Sequence, residues 1–126
     1  MVTLKPEDLS QELFALDPHI RYVGILDETK NLALSKMRPG VKSVTSESED
    51  RHLMNIIPTI VLGAFERLSK YVGDLEVVSA HHANISLFMF YSGGYIIAIS
   101  AESNAFDTVL SKLRDWRLKA IEKVKS

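Results

Sequence analysis

The segment Leu75–Ala101 constrains the fold of this chain more than any other. It reads LEVVSAHHANISLFMFYSGGYIIAISA, three short runs of β-branched and aromatic residues, the last two joined by Ser92-Gly93-Gly94. Two adjacent glycines between apolar runs meet the φ > 0 requirement at both centres of a type I′ turn, so Ile85–Tyr91 and Tyr95–Ala101 are expected to form a hairpin. Ile85, Leu87, Met89 and Tyr91 alternate with Ser86, Phe88 and Phe90, and Ile97 and Ile99 alternate with Ile96 and Ala98. Both faces of these strands are apolar, so both faces of their sheet must be covered.

The flanking sequence supplies the cover. Pro6 followed by Glu7 and Asp8 opens a helix, because proline suits the first helical position and acids there oppose the dipole. Leu9, Leu13 and Leu16 give it one apolar stripe, and Asp17-Pro18 ends it. Ile20–Asp27 reads as a strand apolar on both faces, Asp27–Asn31 as a turn, and Leu32–Met37 as the returning strand. The polar loop Arg38–Asp50 is long for a compact domain. Ser46 or Ser48, with Glu47, Glu49 and Asp50, is placed to cap the next helix, and Arg38 and Lys42 are the loop's candidate partner- or ligand-binding side chains.

A long helix is expected from Glu49 to Tyr71, ended by Gly73. Its apolar residues Ile56, Ile57, Ile60, Val61, Ala64, Phe65 and Leu68 fill about half the circumference, wider than one sheet contact requires. Asn55, Thr59, Gly63, Glu66 and Lys70 take the other side, with Leu62 among them. Pro58 lacks a backbone donor and crowds the carbonyl of Met54, which predicts a kink or a restart. Leu75–Ala80 follows as a strand expected at the sheet edge. The last helix starts near Asn104, with Phe106, Val109, Leu110, Leu113, Trp116, Ala120, Ile121 and Val124 on one stripe. Arg117 lies within that stripe, positioned to snorkel or to meet a carboxylate beyond the sheet edge. The class is α+β: one five-stranded antiparallel sheet, helices on both faces, in the order helix, two strands, helix, three strands, helix.

Chemistry is sparse. The 126 residues contain no cysteine, which removes disulfides, thiolate metal sites and cysteine nucleophiles. Gly-x-Ser-x-Gly is absent, and Gly93-Gly94 lacks the rest of a phosphate loop. His81 and His82 are adjacent in a strand and point to opposite faces, so they cannot jointly chelate a metal; His19 and His52 stand alone. Asp27, Glu28, Glu102 and Asp107 sit at strand or helix ends, where they serve turns and caps. The expectation is no catalytic residue, no cofactor and no metal. A net charge of −1 gives no pull toward nucleic acid. The basic outer face of the last helix (Lys112, Arg114, Lys119, Lys123, Lys125) is interspersed with Asp115 and Glu122 and reads as a solvated surface rather than a nucleic-acid or membrane site. The longest apolar stretch, Leu53–Phe65, is interrupted by Asn55, Pro58 and Thr59, and no signal peptide is visible, so a cytoplasmic protein of one domain, residues 1–126, is expected.

With this element order, residues 7–125 resemble the Roadblock branch of profilin-like and longin-like domains. The segment Met37–Ser43, MRPGVKS, is also similar to an uncharacterised archaeal family of small stand-alone proteins. The Roadblock resemblance implies a five-stranded antiparallel sheet with the long helix on one face and the terminal helices on the other. It implies a homodimer through that helix and the strand after it, with one sheet running across the two-fold axis. The matching positions are Asn55, Thr59, Leu62, Gly63 and Glu66 on the helix and Leu75, Val77, Ser79 and His81 on the strand. Thr59 and Gly63 are small and one turn apart, which would admit a second helix backbone. Family members are platforms for small Ras-like GTPases, motor complexes and signalling assemblies, without shared catalytic residues. The first hairpin here, Asp27-Glu28-Thr29-Lys30-Asn31, departs from the family in lacking a glycine.

Three functions compete. The leading one is a non-enzymatic homodimeric scaffold that binds or regulates a small Ras-like GTPase. The second is a small-molecule sensor of profilin-like fold, with a pocket beneath the Arg38–Asp50 loop. The third is an enzyme using His81 or His82.

Overall fold

The computed structural model of the protein describes residues 4–125, and the side chains of residues 4–120. The order is α1 (Pro6–Phe14), β1 (Ile20–Leu26), β2 (Leu32–Met37), α2 (Glu47–Glu66), α3 (Ser69–Val72), β3 (Val78–His81), β4 (Ile85–Ser92), β5 (Tyr95–Glu102) and, after a 3₁₀ turn at Ser103–Ala105, α4 (Phe106–Lys125). The five strands form one antiparallel sheet in the order β2-β1-β5-β4-β3, with β3 at one edge as expected.

The glycine pair does what its position requires. Gly93 and Gly94 have φ of 57° and 86°, and the turn closes β4 on β5 with Ser92 opposite Tyr95. The β1–β2 turn manages without glycine. Lys30 takes a positive φ of 68°, and Asp27 Oδ1 accepts hydrogen bonds from the Thr29 amide, the Thr29 hydroxyl and the Asn31 amide. Spent in this way, Asp27 turns out of β1, which ends at Leu26 rather than Asp27.

The sheet separates two cores. Phe88, Phe90, Ile97, Ile99, Val23 and Ile25 face α1 and α4, meeting Leu9, Leu13, Val109, Leu113 and Trp116. Leu26, Met89 and Ile96 face α2 and meet Met54 and Leu62. An irregularity between Ile20 and Tyr22 in the β1–β5 ladder lets both Ile20 and Val23 serve the first core. In α4 the buried stripe is Val109, Leu113 and Trp116; Ile121, Val124, Lys123 and Lys125 lie outside the described side chains. Arg117 donates to the Leu75 carbonyl (3.4 Å), and it is Arg114 that reaches a carboxylate, Glu76, at 3.5 Å.

Two boundaries differ from the sequence expectation. α2 runs unbroken through Pro58 and ends at Glu66, and the chain bends at Arg67-Leu68 before α3, which Gly73 terminates at φ 99°. Pro58 lies in the buried row Met54–Pro58–Leu62, so its ring packs inward and offsets the backbone bond it cannot make. Strand β3 starts at Val78, not Leu75. Leu75 packs toward the α2 core and Val77 toward the other, an arrangement that removes both from the ladder.

Gly24 in β1 is where α2 rests on the sheet: a Cβ there would lie 2.5 Å from Met54 Sδ and 2.7 Å from the Tyr22 hydroxyl. Both neighbours belong to the α2 side of the sheet, and Met54 is buried. Gly24→Ala is expected to destabilise the protein by roughly 1–3 kcal/mol in urea unfolding, an overpacking cost, with far-ultraviolet circular dichroism preserved.

Candidate functional site

α2 begins where a capping sequence places it. The Ser46 hydroxyl accepts from the Glu49 amide (3.0 Å), and Glu47, Glu49 and Asp50 fill the first turn. Ser46, not Ser48, is the cap. From there α2 seats Met54, Pro58 and Leu62 against the sheet at intervals of four residues, flanked by the half-buried Ile57 and Val61. The opposite side keeps its apolar residues in solvent. Ile56 is 40% exposed and Ile60 64%; past Leu62, on the inner side at the helix end, Phe65 is 48% exposed, Leu68 after the helix 49%, and in α3 Tyr71 and Val72 are more exposed still. Scattered exposed apolar residues need no explanation, but six between Ile56 and Val72, spread over α2 and α3, are a local concentration.

The expected interface residues divide on this geometry. Asn55, Gly63 and Glu66 are exposed on α2, and a Cβ at Gly63 would meet nothing within 4 Å. Thr59 is half-buried, with its hydroxyl enclosed and unpartnered. Leu62 is a correction: it is fully buried in the protein's own α2 core, so it cannot belong to an outer contact face. On the edge strand Ser79 and His81 are exposed, whereas Leu75 and Val77 are half-buried in the two cores. Missing from the expected set were Ile56, Ile60, Tyr71 and Val72. Their apolar character was legible, but the sequence pattern assigned the helix residues among them to the sheet.

Arg38 is a second correction. Its guanidinium and Nε donate to the carbonyls of Phe14 (2.6 Å), Asp17 (2.7 Å) and Ile20 (2.7 Å), and it lies over the Phe14 ring. Committed to tying the α1–β1 connection to the end of β2, it is not free for a ligand. Lys42 is exposed, and its carbonyl accepts from Arg21 (3.0 Å). The loop is closed at its far end by Asp50, which accepts from Ser43 (2.7 Å) and Thr45 (2.5 Å).

His81 pairs through Nδ1 with the Ser86 hydroxyl (2.6 Å) and meets Phe106 edge-on. A histidine beside a serine is the beginning of a nucleophile pair, but Ser86 is fully buried and, among the described residues, no carboxylate hydrogen-bonds to the ring. The pair is a cross-strand hydrogen bond between β3 and β4. His82 lies beyond β3 in the turn, where its amide donates to the Ile85 carbonyl. Among the described residues no group of three or more His, Cys, Asp or Glu could hold a metal ion, and no helix is long and apolar enough to cross a membrane. Beside α2, burial and then the Glu66 carboxylate push the Tyr91 hydroxyl above its ordinary value.

No protein-family model matches the chain, and no curated protein matches it in sequence. Solved structures do match. A Roadblock/LC7 domain from Streptomyces avermitilis aligns with a TM-score of 0.59 over 91% of this chain and 90% of that one, at 13% identity. The gliding protein MglB from Thermus thermophilus gives 0.60 over 98% and 95%, at 10% identity, and Myxococcus xanthus MglB gives 0.53 over 89% and 90%, at 17% identity. The fold is Roadblock-like. The split of helices between the two sheet faces, implied by the family resemblance, is the arrangement observed, with α2 alone on one side and α1 and α4 on the other.

His19, expected to stand alone, is bound to Asp17 through its amide (2.8 Å) and Nδ1 (2.7 Å), while Lys112 from α4 reaches the other carboxylate oxygen at 2.9 Å. Burial alone would raise the pKa of Asp17, but Lys112 and the two His19 bonds together lower it from 3.8 to about 2. A depressed folded-state value stabilises the fold above the unfolded value and loses that contribution as pH falls from 3.8 through about 2. Asp17→Asn should therefore lower stability by about 2 kcal/mol at neutral pH and remove that part of the acid sensitivity. Urea titrations of both proteins at pH 7 and at about pH 2.5 read the difference, which should shrink at the lower pH.

Proposed function

We propose that this protein is a non-enzymatic homodimeric scaffold of Roadblock type that works in the cytoplasm and binds or regulates a small Ras-like GTPase. One observation carries the reading. The exposed apolar surface of α2 and α3 lies on the same chain as an unpaired edge strand, β3, and the two features ask for the same partner. An open edge presents backbone donors and acceptors to another strand, and an apolar helix face asks for burial. A two-fold axis beside β3 would pair it with its copy and bring the two α2 helices together. Gly63, with open space around it, lets a second helix backbone come close, and Asn55, Thr59 and Glu66 lie on the rest of the surface. Ser79 and His81 would lie on β3 near its pairing axis.

The solved neighbours agree with an assembling protein. One MglB structure, with a TM-score of 0.58 at 10% identity, is described as having a tetrameric arrangement. The GTPase partner follows from the Roadblock resemblance, whose members serve such GTPases. A scaffold needs no reacting group, which fits a surface built of aliphatic and aromatic side chains.

Light scattering coupled to chromatography tests the assembly over a range of concentrations. The wild type should run as a dimer. Gly63→Arg, which sets a long charged side chain in the helix contact, and Ile60→Asp should both shift it toward monomer with circular dichroism unchanged. A wild type that remains monomeric at high concentration would refute the scaffold. Capture from the native source in the presence of a non-hydrolysable GTP analogue, on wild type and Gly63→Arg, then tests for the GTPase, which should be retained on the dimer.

A further inference from the structure

The α2 side of the sheet is not filled. Between the first half of α2, the loop residues Ser43–Thr45 and the floor formed by β1, β4 and β5 lies a cavity of about 190 Å³. Leu53 and Ile57 roof it, and Leu87 and Ala98 form part of its floor. It lies beneath the loop where the sequence suggested a ligand pocket.

Its lining has an unusual composition. Three of the chain's four methionines, Met37, Met54 and Met89, converge on this cavity. They come from β2, α2 and β4, so no local sequence bias accounts for the clustering. Methionine is flexible and polarizable, and it adapts to irregular or varied apolar shapes better than a branched side chain does. A rigid packed seat for α2 would be better served by leucine and isoleucine, which the other core uses.

The charges at the mouth already have partners. Asp50 accepts from Ser43 and Thr45, and Arg21 donates to the Lys42 carbonyl and lies 4.0 Å from Glu102. The Tyr22 hydroxyl is paired with Ser35 at 2.7 Å. A charged ligand would find no unmatched counter-charge there, and its own charge would lose water without compensation. A neutral one would not. For scale, an apolar cavity of about 150 Å³ accommodates a benzene ring.

We infer that this cavity is a binding site for a neutral, mainly apolar small molecule of about the size of one substituted aromatic ring. The three methionines mould around its body, and the Ser43–Thr45 loop, held by Asp50 and Arg21, closes over it. The site faces the opposite side of α2 from the proposed dimer surface, so it stands or falls separately from the scaffold reading.

The test uses the full chain labelled with methyl-¹³C methionine, each signal assigned by a single Met→Leu replacement. Toluene is the probe. The Met37, Met54 and Met89 methyl signals should shift with a saturable dependence on toluene. Benzoate and benzylamine, the same ring carrying either charge, should bind at least tenfold more weakly. Ala98→Leu, which adds side-chain volume to the cavity floor, should abolish the toluene response; if it does not fold, Leu87→Phe fills from the neighbouring strand. Absence of saturable shifts at Met54 and Met89 up to the solubility limit of toluene would overturn the site. Binding of either charged probe as tight as that of toluene would overturn the neutral ligand class.

Discussion

Ile96 and Ile97 are neighbours in β5, are both essentially inaccessible to solvent, and belong to different cores. Everything else in this molecule depends on that two-sided burial. A central strand with no wet face forces helices onto both sides, and the chain has to cross from one side to the other between its strands. Terminal helices α1 and α4 settle on the face of Ile97, and α2, inserted between the two hairpins, must cover the face of Ile96 by itself. One helix over a five-stranded sheet leaves part of that face uncovered, and the cavity lies in that gap.

The two faces are held by different physics. On the α1/α4 side the helices are fastened by specific contacts: Trp116 Nε1 to Glu12 (2.8 Å), Lys112 to Asp17 (2.9 Å), Lys36 to Glu7 (2.8 Å), and the stacked rings of Phe88 and Phe106. Among the described residues, α2 makes no side-chain hydrogen bond or ion pair to the sheet beneath it. Its polar contacts go to its own first turn and to the preceding loop. Hydrophobic contact is non-directional, so α2 is held down without being fixed in one exact position.

How much of this was legible in sequence depends on which force dominated locally. The Gly93-Gly94 turn, the two-sided strands and the cap at Ser46 were readable, because each is decided by local stereochemistry or a short period. The phase of α2 was not. Its apolar residues cover so much of the circumference that either half could face the sheet, and the deciding mark was Pro58. Taken as a helix breaker, it hid the row Met54–Pro58–Leu62; as an apolar side chain, it completes that row at a spacing of four. The misplacement of Leu62 at the outer surface and the neglect of Ile56 and Ile60 both follow from this single residue. Arg38 misled for another reason: an arginine in a polar loop looks free until the chain fold brings three carbonyls to it, and no sequence period reports such a convergence.

The exposed surface and the cavity are then two consequences of one design. A helix seated without directional contacts beside an open cavity, and carrying exposed apolar residues on its outer side, has unsatisfied demand on both sides. On the outside, Ile56 and Ile60 would gain by leaving water, at roughly 25 cal/mol for each Å² buried, a term that grows with the area of any partner surface. On the inside, Met54 sits close against Gly24 while Leu53 and Ile57 look into empty space. The ion pairs and aromatic stacking that anchor the opposite face do not involve α2. On the two proposals, of a scaffold and of a ligand cavity, the well-anchored half of the sheet would serve as the frame and the half with few directional contacts would serve for recognition.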